Sequence, residues 1–223
     1  MANSNNGISR RDLLKGGAAL AVAGNVPLHG AWARSEAAPE AHELMAGVHR
    51  VRFAEAPYPE TEVWAFGGRT PGPVLRLPKG RPSHIRVRNR LPAPITVHWH
   101  GLRIANAMDG VPVITQPPIE PGDDFDYVFT PPDAGTFWYH SHFDTAVQVG
   151  RGVYGLLIVE EDEPLPVDRD EYWVLDDWRL GGDGQIVGDF DNPRDLARAG
   201  RLGNTVTVNG RLPGDVPVRA GER

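Results

Sequence analysis

His98-Trp99-His100 and His140-Ser141-His142 each place two imidazoles one residue apart. Side chains in an extended strand alternate between faces, so this spacing sets both rings of a pair on the same face. Ile95, Val97 and Trp99 share the opposite face of the first pair. That apolar side belongs to a core, and His98 and His100 point away from it. The chain has eight histidines, and half of them are committed to these two displays. Four neutral imidazoles converging from two strands suit a transition metal, copper or zinc, better than calcium or magnesium, which take oxygen ligands.

The surrounding sequence reads as further short strands. The 26 glycines and 21 prolines are spread between brief apolar runs, the pattern of many strands joined by turns. Residues 48–54 predict a first strand with Val51 and Phe53 inward, and residues 61–66 a second, closed by the Gly67-Gly68 turn. A strand over 74–77 follows. Residues 83–89 alternate and show Ile85 and Val87 to the core. The run 95–100 carries the first histidine pair, and 101–116 is a turn-rich loop containing Met108-Asp109-Gly110. Phe125, Tyr127 and Phe129 share one face of the next strand. In 136–142, Trp138 shares a face with His140 and His142, an aromatic wall beside the metal; residues 153–159 close the domain. Among the other aromatic and soft side chains, Trp64, Trp99 and Trp173 are expected in the core and Met108 as filler, while His42, His49 and His84 are ordinary surface residues.

The first domain therefore spans 45–160, and the acidic, proline-bearing stretch 161–170 is a linker. Strands over 172–175 and 205–210, with one helical turn in 192–198, begin a second domain over 171–223. These residues are too few for a second sandwich of roughly 100 residues, so this domain is expected to be incomplete.

The first 33 residues read as an address. Arg10-Arg11 precede a short apolar stretch and Ala31-Trp32-Ala33, a pattern that resembles a twin-arginine signal peptide and implies the twin-arginine export machinery as a partner. The stretch is too short and too rich in Gly and Ala to be a stable membrane span. The expected location is periplasmic or secreted. A net charge of −6, with no basic run beyond the N-terminus, excludes a nucleic-acid footprint. The chain has no cysteine, which excludes disulfides, thiolate metal ligands and a cysteine nucleophile within it.

His98-Trp99-His100-Gly101, Asp109-Gly110-Val111 with Thr115-Gln116, Pro121-Gly122, the run from Gly135 to His142 and Gly155-Leu156-Leu157-Ile158-Val159 together resemble the multicopper oxidases, the family of laccases and periplasmic copper oxidases. The resemblance covers most of residues 45–160. Val208-Asn209-Gly210 and Ala220-Gly221-Glu222-Arg223 look like the opening of that family's second domain.

The resemblance implies an all-β, cupredoxin-like Greek-key sandwich followed by the start of a second one. It implies copper as cofactor, with His98 as type 2 ligand and His100, His140 and His142 as type 3 ligands. It implies that Asp109 helps deliver protons to oxygen; capping the turn before Gly110 is the plain structural role for the same residue. The family's reaction takes single electrons from a reducing substrate, a phenol or a metal ion, at a type 1 copper and reduces O2 to water at a trinuclear cluster. A type 1 site needs a thiolate, and the cluster needs four further histidines that the family supplies from its C-terminal domain; the resemblance implies that the chain has neither. The expectation is a copper-binding oxidoreductase portion that is inactive alone. A stand-alone, non-catalytic copper-binding or interaction protein is the alternative. A zinc hydrolase, with Asp109 or Asp144 as its carboxylate, ranks third.

Overall fold

Alternating apolar residues build two four-stranded sheets that close on one core. The computed structural model describes residues 40–53, 56–198 and 200–223; the signal peptide expected over 1–33 lies outside them. In chain order the strands are β1 (Glu40–Val51), β2 (Thr61–Phe66), β3 (Leu75–Pro78), β4 (Ser83–Arg90), β5 (Val97–His100), β6 (Asp124–Phe129), β7 (Gly135–Ser141), β8 (Tyr154–Glu160), β9 (Leu175–Trp178) and β10 (Thr205–Val208). One sheet has the order β2-β1-β4-β6 and the other β3-β8-β7-β5. β1 and β4 run parallel, as do β3 and β8, and the remaining neighbours are antiparallel. Leu44, Ile85, Val87, Trp99, Tyr127, Tyr139 and Leu157 fill the space between the sheets and are fully buried. This is the all-β sandwich that the alternation predicts.

The Tyr127 hydroxyl accepts a hydrogen bond from the Val97 N–H at 2.9 Å, linking β6 in one sheet to the start of β5 in the other. That contact fixes β5 where the first histidine pair begins. β5 is the outer strand of its sheet, paired only with β7, so the histidine-bearing face lies at a sheet edge.

Several details differ from the expectations. β1 begins at Glu40 and turns a different set of residues to each side: Leu44 and Ala46 enter the sandwich core. Val51 and Phe53 pack on the opposite face, in a second cluster with Val63, Ala65 and Trp178. The outer face of β2 is thus covered by the segment that follows the first domain, with the Phe53 and Trp178 rings 4.5 Å apart. The buried Trp178 donates from Nε1 to Thr207 Oγ1 at 2.9 Å, which satisfies its polar edge.

The later strand is Leu175–Trp178, three residues beyond the expected run, and Trp173 is 61% exposed instead of buried. Trp99 is in the core as expected, and Trp64 and Met108 pack partly buried against it. His84 sits 2.8 Å from Asp126, while His42 and His49 are partly buried. Among the described residues two short α-helices, α1 (Thr145–Gly150) and α2 (Pro193–Leu196), and a 3-10 turn over Asn106–Met108 complete the architecture. α2 matches the expected helical turn and is capped by the Asn192 side chain, which accepts from the Arg194 N–H. No sequence signal marks α1.

Candidate metal centre

The antiparallel register between β5 and β7 sets His98 opposite His140 and His100 opposite Trp138. Directly opposed residues on one face lie close enough for their side chains to interact. The core-facing Trp99 and Tyr139 oppose each other on the other side of the same ladder. The period-two spacing in each strand and this register together gather three imidazoles: one nitrogen each of His98, His100 and His140 lies within 4.8 Å of the others. His142 comes just after the end of β7, and its N–H donates to the Thr96 carbonyl at 3.3 Å. Its ring centre is 5.3 Å from that of His98 and 6.1 Å from that of His140, but its nitrogens stand outside the tight group of three.

Main-chain carbonyls set the tautomers. His98 Nδ1 is 2.8 Å from the Asp109 carbonyl oxygen, and His140 Nδ1 is 2.9 Å from the Ser141 carbonyl oxygen. A carbonyl only accepts, so each Nδ1 carries the proton and each Nε2 keeps its lone pair for a metal. His100 Nδ1 faces His140 Nε2 at 3.4 Å. The donor set is then three imidazole nitrogens turned to one place, with a fourth ring adjacent. That chemistry suits copper or zinc, and no carboxylate belongs to the cluster among the described residues.

Burial lowers the pKa of His140 from 6.5 to about 4; the Ser141 carbonyl opposes the shift, and the neighbouring imidazoles add to it. The ring is therefore neutral, as a ligand must be. Between pH 6.5 and 4 the unfolded chain takes up a proton at this position that the folded chain refuses. The metal-free protein accordingly loses stability as pH falls through that window. Urea midpoints measured across it should fall more steeply for the wild type than for His140→Gln; equal slopes would contradict the assignment.

Trp138 stacks on His140 with ring centres 4.1 Å apart and lies 5.0 Å from His100. The aromatic wall expected from its parity is present, and it covers one side of two of the rings. Asp109 comes to His98 twice: its carbonyl oxygen meets Nδ1 at 2.8 Å, and its carboxylate Oδ1 lies 3.5 Å from the same nitrogen. The loop can approach because residue 110 is glycine. A Cβ there would fall 1.9 Å from the Val97 carbonyl oxygen, and its φ is +76°. Asp144 is exposed at the start of α1, with φ +45°.

Two supporting residues go beyond what the sequence signals. Ser141, between the two histidines, points inward and is fully buried; its hydroxyl donates to Gln148 Oε1 at 2.6 Å. Gln148 in turn donates to the Pro94 carbonyl at 2.8 Å. α1 thereby ties the end of β7 to the approach to β5, and both histidine pairs are held by one chain of hydrogen bonds. No sequence period marks Gln148. Ser141 is marked only by its parity with the core-facing Tyr139.

The family profile described as multicopper oxidase matches residues 48–164. The chain belongs to the multicopper oxidase family. It is 39% identical over 178 residues to copper resistance protein A of Pseudomonas syringae pv. tomato, covering 76% of this chain and 29% of that protein. To copper resistance protein A of Escherichia coli it is 37% identical over 177 residues, with the same two coverages. Among solved structures, a multi-copper oxidase from Pseudomonas thermotolerans superposes with a TM-score of 0.74 at 40% identity, covering 78% of this chain and 42% of that one. Lac15 from a marine microbial metagenome gives 0.67 at 41% identity, covering 83% and 45%. The chain thus spans about three tenths of the length of these curated relatives. These matches establish the cupredoxin-like sandwich, and the family is one of copper proteins. Residues 7–27 match the twin-arginine translocation signal, which places the protein in the periplasm or beyond. Among the described residues no helix is long and apolar enough to cross a membrane.

Proposed function

We propose that this chain supplies one half of a trinuclear copper centre in a multicopper oxidase-type oxidoreductase. In this reading His98 is a type 2 ligand, and His100, His140 and His142 are type 3 ligands. The observation that carries it is the β5–β7 register, which sets His98 opposite His140 and turns three ligand nitrogens to one place. Copper bound there would supply one-electron chemistry toward O2, with electrons drawn from a phenol or a metal ion. The chain's own residues orient and shield the ligands. The Asp109 and Ser141 carbonyls hold His98 and His140 in the tautomer that presents Nε2. Trp138 stacks on the buried His140 ring and flanks the exposed His100 ring, and the Asp109 carboxylate stands next to the cluster, where it can move a proton. Residues 171–223 are the opening of a second cupredoxin-like domain, docked on β2 through Trp178.

With no cysteine the chain holds no type 1 site, and four of its eight histidines lie outside the paired motifs. We therefore expect no four-electron reduction of O2 by these 223 residues alone. The test is an oxygen electrode trace of the copper-loaded chain with a phenol or cuprous ion. Background consumption supports the reading, and laccase-type turnover overturns it. Asp109→Asn should retain the wild-type copper content, because the main-chain carbonyl that orients His98 survives the change. The lack of cysteine also favours a second reading, a non-catalytic copper-binding or interaction protein with the same fold.

A further inference from the structure

Most arginines on the sandwich face a carboxylate. Arg76, Arg86, Arg88, Arg90 and Arg103 each hold one at 2.7 to 3.1 Å, and so does Arg179, just after β9, at 2.7 Å. Arg81, on an exposed turn, and Arg151, stacked over Trp64 and Phe190, stand apart without a carboxylate, whereas three more such arginines gather at one cleft of about 340 Å³ between the sandwich and the β9–β10 segment. Arg50 on β1, Arg52 just beyond it, Arg69 in the turn after β2 and Arg211 in the turn after β10 all line it. Arg52 is turned to Glu60 at 3.2 Å and to the Tyr58 carbonyl at 2.9 Å. Among the described residues, the side chains of Arg50, Arg69 and Arg211 hold no hydrogen bond or ion pair. Glu62 stands across the ladder from Arg50, yet makes no ion pair with it. No Asp or Glu among the described residues lines the cleft, although the chain carries 29 acidic residues and a net charge of −6. Tyr172 and Asn209 add polar groups to the wall.

Gathering guanidinium groups without counter-charges costs repulsion, which an anion relieves. Arginine forks match the oxygens of phosphoryl groups in bidentate fashion. We propose that this cleft binds a small polyvalent oxyanion of the phosphoryl class, held by Arg50, Arg69 and Arg211. The volume lies at the small end of ligand cavities, which fits a compact anion. Because the arginines come from both the sandwich and the later β9–β10 pair of strands, the bound anion also fastens the two together, and binding to the folded state alone raises its stability.

The test is calorimetric titration of the full chain with inorganic pyrophosphate, with glycerol phosphate and with acetate, all at matched physiological ionic strength. Saturable binding of pyrophosphate or glycerol phosphate, absent for acetate, is expected. The tighter of the two tells a free anion from a phosphate monoester. Arg69→Gln combined with Arg211→Gln should weaken binding at least about tenfold. Arg81→Gln, on an exposed turn outside the cleft, should leave it unchanged. The wild-type titration needs no variant to decide: no saturable signal overturns the proposal. Acetate binding equally well, or an Arg81→Gln loss as large as the double variant's, does the same.

Discussion

His98→Ala and His140→Ala should each weaken copper binding by more than about 100-fold. Groups that merely orient a metal's ligands cost 10- to 100-fold when removed, and these two are proposed as the ligands themselves. They also oppose each other in the β5–β7 ladder, so either change leaves a gap at the centre of the group of three. His98 is partly buried and His140 buried, so a circular-dichroism melt must accompany the copper titration. His84→Ala is the control, since His84 is engaged with Asp126 on the other sheet. Wild-type copper affinity in both variants would sink the site assignment.

Gly110→Ala should be the most damaging single-methyl change near the site. The added Cβ would overlap the Val97 carbonyl oxygen at 1.9 Å and lie 2.9 Å from the His98 nitrogen. Those are backbone atoms of β5, which cannot swing aside as a side chain can. The φ of +76° adds the left-handed cost that any non-glycine residue carries. We expect a loss of about 4 kcal/mol, or roughly 10 °C in Tm for a chain of this size. Copper binding should weaken as well, because displacing the loop withdraws the Asp109 carbonyl from His98 Nδ1. Gly122→Ala, where φ is also positive but no atom lies within 4 Å, separates the cost of the backbone conformation from the clash. Equal melting temperatures for the two variants would show that the clash is relieved at no cost.

What the sequence reveals, and what it hides, follows from range. Period-two alternation is local, so Ile85 and Val87, the Phe125-Tyr127-Phe129 face, and the outward turn of His98 and His100 are legible from neighbours alone. The register that opposes His98 to His140 is a relation between strands far apart in the chain, and nothing within either motif states it. The division of β1 is hidden for the same reason: Val51 and Phe53 read as sandwich core, but Trp178, far along the chain, offers them a second one. α1 has the sequence TAVQVG, with β-branched residues that lower helix propensity. It is held by Gln148 reaching Ser141 and Pro94, a tertiary contact without a sequence period. Trp173 reads as core on residue type, whereas in the fold it stands 61% exposed beside the cleft next to Trp138. The Asp109-Gly110 step is legible as a turn. Its second use, a carbonyl that sets the His98 tautomer, depends on the loop's path across β5.

Copper counted per chain, with an EPR spectrum of the same sample, tests most directly whether these histidines form half of a copper cluster. The expected result is copper that is retained by the wild type, is lost in the His98→Ala/His140→Ala double variant, falls short of the three ions of a complete trinuclear centre, and shows no type 1 signal. Three tightly bound ions with a coupled-pair signature, a type 1 signal, or copper held equally by the double variant would contradict it.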